Sequence, residues 1–299
     1  MFGLKTILFG GEGFIGLRLK KRLVEAGCAV RTVDLAESSD ERGSVANFST
    51  VSGAIKSFAP DLAVNLAGLV GVPACTENPD AAFESNAVGA WNVATACGLS
   101  ELRLIHVSST TVYGATASRK KIVLEGDECS PQSVYGFTKL MGEYAVKSAC
   151  TARSLSAIIL RPSNVYGRGQ KERNATQIFV EKASKHAPIT VHGDGKQTKC
   201  FTFVDDVADA LAKIALSNWK LQRGEYKTYN VSIGRCWNLL DLVTILEGHY
   251  GKLQVTFEPP RKGDFSEAVY SIDEISRDYG FAPAYDLERG VKEVLKDYP

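Results

Sequence analysis

The stretch Gly10-Gly11-Glu12-Gly13-Phe14-Ile15-Gly16 follows a short apolar run, Thr6 to Phe9, and opens an amphipathic segment near residues 14–26. Glycine at three of these positions permits a tight strand-to-helix turn and lets the backbone approach a pyrophosphate. The N–H groups and dipole at the start of the helix then attract that anion. Strand, glycine turn and helix together predict a dinucleotide site formed by Gly10, Gly13, Phe14, Ile15 and Gly16.

Asp34 ends the second apolar run, 24 residues beyond Gly10. A carboxylate at this point accepts hydrogen bonds from the ribose hydroxyls of NAD and repels the 2′-phosphate of NADP. No arginine directly follows Asp34 that would bind such a phosphate. The sequence therefore predicts NAD as the cofactor. The simpler interpretation of Asp34 is a solvated turn residue at the end of a strand.

Short apolar, β-branched runs alternate with helical patterns through the first half of the chain. Such strands, separated by helices, indicate a parallel sheet covered on both faces, the doubly wound (Rossmann) α/β class. We predict an NAD-binding Rossmann domain over residues 1–165, with sheet segments contributed later in the chain, and a smaller C-terminal α/β substrate lobe, mainly 166–299. The predicted strands are Thr6 to Phe9, Ala29 to Val33, Leu62 to Leu66, Leu102 to Val107 and Ala157 to Leu160, and the predicted helices lie near 14–26, 48–58, 79–98 and 134–150.

Composition argues against several classes of protein. The 35 Lys+Arg nearly balance the 34 Asp+Glu, so no basic excess points to nucleic acid. No stretch reaches the roughly 18 apolar residues that a membrane helix needs, and the first apolar run is too short for a signal sequence. The seven cysteines and four histidines are scattered, which indicates reduced thiols and no metal site. A cytoplasmic location is the default expectation.

Tyr135-Gly136-Phe137-Thr138-Lys139 begins a helical pattern, so Tyr135 and Lys139 share one face, one turn apart. A nearby ammonium lowers the pKa of a tyrosine, which can then take a proton from a substrate hydroxyl. Ser109, just after the Leu102 to Val107 strand, can relay a hydrogen bond between substrate and Tyr135. We predict a catalytic set of Ser109, Tyr135 and Lys139. The plainer alternatives are a surface pair and a turn whose hydroxyls satisfy local backbone groups.

Six further segments accompany these motifs: Asn65-Leu66-Ala67-Gly68, Glu84-Ser85-Asn86, Leu160-Arg161-Pro162-Ser163-Asn164-Val165-Tyr166-Gly167, Gly193-Asp194-Gly195-Lys196-Gln197-Thr198, Phe203-Val204-Asp205-Asp206-Val207 and Arg261-Lys262-Gly263-Asp264. Together the motifs resemble those of the extended short-chain dehydrogenase/reductases, in the NAD-dependent epimerase/dehydratase family. The resemblance runs the whole length of the chain. The most similar subgroup is the UDP-sugar 4-epimerases, including enzymes for UDP-glucose and UDP-glucuronate.

The resemblance implies roles for residues that spacing alone does not single out. It implies contacts to the cofactor from Leu66, Ala67, Gly68, Asn86, Tyr135, Lys139 and Pro162. For a nucleotide-sugar substrate, a UDP-sugar in the first place, it implies contacts from Ser109, Asn164, Lys199, Arg261 and Asp264.

Departures from the family pattern narrow the reaction. Lys199-Cys200 stands where Arg-Asp is usual, and lysine neutralises a phosphate without a bidentate fork. Thr111 occupies the place where the dehydratases and decarboxylases usually carry a glutamate, so their elimination chemistry lacks an obvious base. Ser44 replaces a common adenine-binding aspartate, and the loop at residues 71–74 lacks the arginine of the glucuronate-type enzymes. Thr111 is the main reason to favour epimerisation, and the loop at residues 71–74 argues against an acidic sugar.

The mechanism implied by the resemblance keeps NAD bound throughout. Tyr135 removes the proton of the sugar 4-hydroxyl with help from Ser109, and hydride leaves C4. The 4-keto sugar rotates while Lys199 and Arg261 hold the diphosphate, and hydride returns to the other face. Three other reactions on the same scaffold remain as alternatives: a 4-keto-sugar reductase, a decarboxylase or a dehydratase. A non-catalytic NAD-binding regulatory protein is a further one.

The helical pattern near residues 81–97 is apolar almost all round and includes Phe83, Val88 and Trp91. Core packing is its first interpretation, but such a helix can also bury a face against a partner subunit. The family often dimerises through this helix and the Tyr135 helix. We therefore expect a homodimer.

Overall fold

A computed structural model describes residues 3–171, 174–260 and 268–298 of the chain. The strands in these residues are β1 Lys5–Phe9, β2 Ala29–Asp34, β3 Glu41–Arg42, β4 Leu62–Asn65, β5 Arg103–Val107, β6 Ile122–Val123, β7 Ser156–Pro162, β8 Val165–Tyr166, β9 Ile189–His192, β10 Thr198–Lys199, β11 Thr202–Phe203, β12 Tyr226–Val231, β13 Trp237–Asn238, β14 Val255–Glu258 and β15 Val269–Tyr270. The helices are α1 Gly16–Glu25, α2 Phe48–Phe58, α3 Val72–Glu77, α4 Pro79–Phe83, α5 Gly89–Leu99, α6 Ala115–Arg119, α7 Val134–Arg153, α8 Ala175–Ser184, α9 Val204–Leu216, α10 Leu239–Tyr250, α11 Asp273–Tyr279 and α12 Leu287–Leu295.

A seven-stranded sheet has the order β12-β7-β5-β4-β1-β2-β3, and all its neighbouring strands are parallel. This arrangement confirms the predicted doubly wound α/β class. The five predicted strands are β1, β2, β4, β5 and β7, with ends within two residues of those expected. The edge strand β12 was not predicted, because its residues Tyr226–Val231 include lysine, threonine and asparagine and lack a continuous apolar run.

Strand β1 shows why the sheet needs helices on both faces. Leu8 belongs to the cluster that α1 and α9 build, with Leu19 and Leu211. Its neighbours Ile7 and Phe9 belong to the cluster on the opposite face, where α2, α5 and α7 pack. Successive side chains of a strand point to opposite faces, so an apolar run such as Ile7-Leu8-Phe9 is buried on both sides.

The later part of the chain forms short strand pairs around a third apolar cluster, which includes Tyr166, Phe203, Trp237 and Leu242. Strands β8 and β11 pair in parallel, as do β9 and β14, while β10 and β13 are antiparallel. The pair of β8 and β11 lies next to the carboxyl end of β7, because β8 directly follows β7 in the chain.

The antiparallel pair of β10 and β13 corrects one expectation. Its register sets Lys199 opposite Trp237, which brings Cys200 and Cys236 together, and the structure joins them in a disulfide across 36 residues. The expectation that all thiols are reduced is therefore wrong for this pair. The sequence does not reveal it because the two cysteines become neighbours only through strand register. The other five cysteines, all in the described part of the chain, do not form disulfides.

Helix α7 positions the predicted catalytic residues. Ser133 caps its start, with the Ser133 Oγ accepting the Gly136 N–H at 3.1 Å, and Tyr135 and Lys139 therefore fall in its first turns. Helix α7 is 20 residues long, which is enough to cross a membrane, but it carries several charged side chains. Among the described residues, no helix has both the length and the apolarity to cross a membrane.

Candidate active site

The glycine turn between β1 and α1 is packed too tightly for side chains. Gly10 has a φ of 77°, which favours glycine, and a Cβ there would lie 2.6 Å from the Ala67 nitrogen. A Cβ on Gly16 would lie 2.6 Å from the Gly10 carbonyl oxygen. The start of α1 has no side-chain cap, so its N–H groups are suited to an anion. The turn thus fits a dinucleotide pyrophosphate.

Asp34 lies at the carboxyl end of β2, on the cavity wall. Its Oδ2 accepts the Glu12 N–H at 3.0 Å, and its Oδ1 accepts the Ala36 N–H at 3.3 Å. These bonds fix the carboxylate beside the glycine turn. A carboxylate in this place suits the ribose hydroxyls of a dinucleotide.

One cavity of about 1640 Å³ extends along the carboxyl ends of the parallel strands. Ligands of open α/β sheets bind at this edge. The cavity brings together most of the predicted site residues: Gly10, Gly13, Phe14, Ile15, Gly16, Asp34, Leu66, Ala67, Gly68, Ser109, Tyr135, Lys139, Pro162 and Asn164. Two other predicted residues that the structure describes, Asn86 and Lys199, are not part of its lining.

Asn86 lies behind the lining, in a π-helical turn over Glu84–Val88. Its Nδ2 donates to the Leu69 carbonyl oxygen and to the Thr138 Oγ1, both at 3.0 Å. A Cβ on Gly68 would lie 2.4 Å from the Asn86 Oδ1. Asn86 therefore connects the loop that follows β4 with α7 and supports the lining from behind.

Lys139 is buried, at 5 % exposure, and its Nζ donates to the Val107 carbonyl oxygen at 2.5 Å. Burial lowers the pKa of Lys139 to about 8, although Glu143, one helical turn further on, opposes the shift. Tyr135, one turn before Lys139, is half-buried and lines the cavity. The helix thus presents the phenol with the ammonium one turn away.

Ser109 follows β5 and caps a 3-10 turn over Thr110–Val112. Its Oγ accepts the Thr111 N–H at 3.2 Å and lies 3.0 Å from the Thr111 Oγ1. Both side chains line the cavity. The Ser109 hydroxyl therefore satisfies the local backbone, as the plainer interpretation supposed, and also faces the cavity.

A buried ionic network, which the motifs did not predict, lies behind the predicted catalytic residues. The Glu143 carboxylate accepts the Arg161 Nε at 2.8 Å and the Arg161 Nη2 at 2.7 Å. It also accepts the Ser108 Oγ at 2.7 Å, and the Arg161 Nη1 donates to the Tyr113 hydroxyl at 2.8 Å. The network ties α7 to β7 and to the residue before Ser109.

Burial disfavours the charged form of Glu143, but the hydrogen bonds and charge of Arg161 outweigh it and lower the pKa of Glu143. Burial likewise disfavours charged Arg161, and Glu143 raises the pKa of Arg161 above its ordinary value. Both groups are therefore ionised. Two signals were present in the sequence: Glu143 is four residues after Lys139, and Arg161 follows the apolar run Ile158-Ile159-Leu160.

The predicted substrate residues are spread over several elements. Asn164 lines the cavity, and its carbonyl oxygen accepts the Thr202 N–H at 3.2 Å. Lys199 lies in β10, opposite Trp237. Arg261 and Asp264 lie outside the described residues. Of the four, the structure thus brings Asn164 to the cavity that holds Ser109 and Tyr135.

The parallel sheet, the glycine turn and the Tyr135–Lys139 pair define a dinucleotide-dependent enzyme of the doubly wound class. The family model described as "NAD dependent epimerase/dehydratase family" matches residues 6–232. The chain belongs to this family, which confirms the resemblance drawn from its motifs, and NAD is its cofactor.

Named relatives cover nearly the whole chain. It is 26 % identical over 345 residues to a dTDP-L-rhamnose 4-epimerase of Burkholderia thailandensis, a match that covers 98 % of this chain and 94 % of the relative. It is 23 % identical over 330 residues to a dTDP-glucose 4,6-dehydratase of Xanthomonas campestris, covering 98 % and 92 %. The crystal structure of a Thermotoga maritima UDP-glucose 4-epimerase with UDP-glucose superposes with a TM-score of 0.88 at 23 % identity, covering 98 % of each chain. At this identity, the superposition shows the shared fold.

Proposed function

We propose that this chain is a nucleotide-sugar 4-epimerase that oxidises the sugar transiently at C4, with Ser109, Tyr135 and Lys139 as its catalytic residues. The observation that carries the proposal is the cavity wall at Ser109. The group 3.0 Å from the Ser109 Oγ is the hydroxyl of Thr111, where an elimination would call for a carboxylate. Oxidation and reduction at one carbon need a single proton-transferring group, and Tyr135 lines the same cavity.

In this mechanism Tyr135 takes the proton of the sugar 4-hydroxyl. The neighbouring Lys139 ammonium favours the phenolate form, and its bond to the Val107 carbonyl oxygen holds it in place. Ser109, fixed by the backbone of Thr111, relays a hydrogen bond between Tyr135 and the sugar oxygen. NAD, when bound, supplies the two-electron acceptor. A positioned acid–base group contributes about 10²–10⁴-fold to a rate.

We assign the cofactor contacts to the predicted set. The glycine turn receives the pyrophosphate, Asp34 accepts the ribose hydroxyls, and the Leu66-Ala67-Gly68 loop and Pro162 line the remainder. Asn86 acts from behind that loop through the Leu69 carbonyl oxygen. The fit of the glycine turn to backbone alone supports this assignment.

We infer a UDP-sugar as the substrate, held by Asn164 and Lys199 and by Arg261 and Asp264. Support comes from the position of Asn164 on the cavity wall and from the UDP-glucose named in the superposed structure. Anchoring the nucleotide far from the reacting carbon uses remote binding energy for positioning.

A panel of nucleotide sugars tests the reaction. Purified protein without added cofactor is incubated with UDP-, dTDP-, GDP- and CDP-sugars, and products are separated by chromatography with mass detection. A new peak of unchanged mass supports epimerisation and names the substrate. A product lighter by water identifies a dehydratase and one lighter by carbon dioxide a decarboxylase; either overturns the proposal.

If no sugar reacts, NAD(H) and 4-keto sugars are added. Turnover under these conditions identifies a reductase, and continued inactivity favours a non-catalytic NAD-binding protein. Tyr135→Phe is the control for every active combination, because it removes the proton-transferring hydroxyl and leaves the ring.

We also propose that the chain forms a homodimer through α4, α5 and α7. Large apolar side chains on these helices are exposed: Phe83, Trp91, Phe137, Met141 and Tyr144. A contiguous exposed apolar surface is typical of a protein interface. Light scattering after gel filtration should give twice the chain mass, and Met141→Glu should reduce it to one. Phe257→Glu, at a separate exposed aromatic, is the matched control.

The division of the chain near residue 165 and a cytoplasmic location are retained as proposals. The first is supported by the third apolar cluster, which is built from residues 166 onwards.

A further inference from the structure

We propose that Glu12 is a second determinant of cofactor choice. In our interpretation its carboxylate, beside Asp34, turns 2′-phosphorylated dinucleotides away and holds the ammonium of Lys20 back from the cavity. The inference rests on the dinucleotide site alone and is independent of the reaction proposed above.

Glu12 belongs to the glycine turn, and its position ties it to Asp34. The Glu12 N–H donates to the Asp34 Oδ2 at 3.0 Å, so the two acidic residues are joined by one hydrogen bond. Both line the same cavity. A 2′-phosphate would project from the ribose hydroxyl that Asp34 is placed to accept, and would therefore come close to Glu12.

The Glu12 side chain is fixed by three donors. Its Oε1 accepts the Lys20 Nζ at 3.0 Å and the Thr32 Oγ1 at 2.9 Å, and its Oε2 accepts the Ser38 Oγ at 3.3 Å. Ser38 lies in the loop after Asp34. The carboxylate therefore cannot swing out of the way of a ligand without breaking these bonds.

Glu12 is ionised in this setting. Burial disfavours its charged form, but hydrogen bonds from Lys20 and Thr32 outweigh the burial and lower its pKa. Burial disfavours charged Asp40 as well, but its two hydrogen bonds from Thr32, through the N–H and the hydroxyl, together with the charges of Lys20 and Arg31, lower its pKa. Three carboxylates, Glu12, Asp34 and Asp40, thus lie close together at this end of the cavity.

The two residues of the Glu12–Lys20 pair differ in their position relative to the cavity. Glu12 lines the cavity, whereas Lys20 is not among the described residues of the lining. A ligand in the cavity therefore meets Glu12 before it meets Lys20. A dianionic phosphate is repelled by the nearer charge more than it is attracted by the farther one.

Three other basic residues of α1 make contacts elsewhere, and the Lys21 Nζ lies 3.9 Å from the Glu25 carboxylate. Arg22 pairs with Asp205, with 2.8 Å between the Nη2 and the Oδ1. The Arg18 Nη2 donates to the Arg168 carbonyl oxygen at 2.6 Å. The last two contacts point towards α9 and the segment after β8, away from Asp34, so Lys20 is the cation that a change at Glu12 would release.

A competition for the site tests the proposal without any enzymatic readout. The protein is incubated with equal, saturating concentrations of isotopically labelled NAD⁺ and of NADP⁺. The label distinguishes added NAD⁺ from nucleotide carried through purification, and incubation continues until no unlabelled NAD⁺ remains bound. The bound pool is then released and quantified by chromatography. Wild type should retain NAD⁺ almost alone, and Glu12→Gln should raise the bound NADP⁺/NAD⁺ ratio by about tenfold.

Two further variants make the result decisive. Adding Lys20→Met to Glu12→Gln should cancel most of the gain, since it removes the released cation. Glu25→Gln makes the same change of charge at another cavity-lining residue of α1, where the Glu25 carboxylate lies 3.9 Å from the Lys21 Nζ. It also frees a lysine, but the hydrogen bonds of the Asp34 carboxylate go to Glu12 and Ala36, so this variant should leave the ratio unchanged. Circular dichroism and a thermal melt establish that each variant is folded.

The proposal is overturned if folded Glu12→Gln keeps the wild-type ratio, or if Glu25→Gln raises the ratio as much. A gain that survives Lys20→Met would refute the part assigned to Lys20. Failure of the nucleotide-sugar panel would leave all of these outcomes unaffected, because the competition measures cofactor binding only.

Discussion

The protein contains two ion pairs between a glutamate and a basic residue, Glu12–Lys20 and Glu143–Arg161, and they differ in burial. At the cofactor end, Glu12 and Lys20 are 7 % and 32 % exposed. Behind the proposed catalytic residues, Glu143 and Arg161 are 0 % and 2 % exposed. A pair open to solvent contributes about 0–1 kcal/mol to stability. Removing one partner of a buried pair costs about 3–5 kcal/mol, because it leaves an uncompensated charge.

The difference shows how one kind of contact serves two purposes. Glu12 belongs to the cavity wall, where we propose that its charge acts on a ligand. Neither Glu143 nor Arg161 is among the described residues that line the cavity. The pair instead holds the Ser108 hydroxyl and joins β7 to the helix that carries Lys139. The variants below test this contrast. The first is at Tyr135, the proposed proton-transferring residue, which lies on the same helix as Glu143.

Tyr135→Phe should cause the largest change. Turnover of the substrate found in the panel should fall by about 10²–10⁴-fold, since the proton-transferring hydroxyl is lost, while the free energy of unfolding changes little. Steady-state kinetics and urea unfolding measure the two. Tyr226→Phe, at an exposed tyrosine of β12, is the matched control. Undiminished turnover in Tyr135→Phe would remove this residue from the mechanism.

Glu143→Ala should lower the free energy of unfolding by about 3–5 kcal/mol, because Arg161 is left charged and buried. Urea unfolding gives the value. Replacing both partners, as Glu143→Leu with Arg161→Met, should recover part of the loss, since no unpaired charge remains. The single variants Glu143→Leu and Arg161→Met complete the comparison. If the double variant loses as much free energy of unfolding as these two single variants together, the two residues are not coupled.

Lys139 should make stability depend on pH. Burial lowers its pKa from 10.5 to about 8, so between these values the unfolded chain binds more protons than the folded protein and stability rises with pH. Below about pH 8 the full cost of burying the charged form is present. Lys139→Met lacks this dependence. Its stability advantage over wild type should therefore shrink as pH rises.

This prediction is checked by urea unfolding of both nucleotide-free proteins from about pH 7 to about pH 10. The difference between the two profiles isolates Lys139 from the other groups that titrate in this range. Parallel profiles would contradict a lowered pKa at Lys139.

Glu12→Gln should have the smallest effect on stability, within about 1 kcal/mol, because its pair with Lys20 is partly open to solvent. The same urea experiment measures it. If Glu12→Gln lowered the free energy of unfolding as much as Glu143→Ala does, the two ion pairs would contribute equally to stability. The contrast between them would then be wrong.

The central strands and the glycine turn could be predicted because their signals are local. Ile7-Leu8-Phe9 must be buried on both faces, and only backbone fits at Gly10 and Gly16. Tyr135 and Lys139 are one helical turn apart, so their sequence spacing already places them together. Edge strand β12 was missed since its residues are only partly apolar and gain their order from pairing with β7.

The remaining features depend on contacts between distant segments. The Glu143–Arg161 pair, the Cys200–Cys236 disulfide and the bond from Glu12 to Asp34 join residues 18, 36 and 22 positions apart. Spacing of this kind carries no periodic signal.

The sequence by itself determined the α/β class, the dinucleotide turn and the face of α7 that carries Tyr135 and Lys139, because backbone geometry within one element dictates each of them. The tertiary structure alone decided which charges are buried and which face the cavity. Burial sets the strength of an ionic contact, and burial is a property of the packed chain.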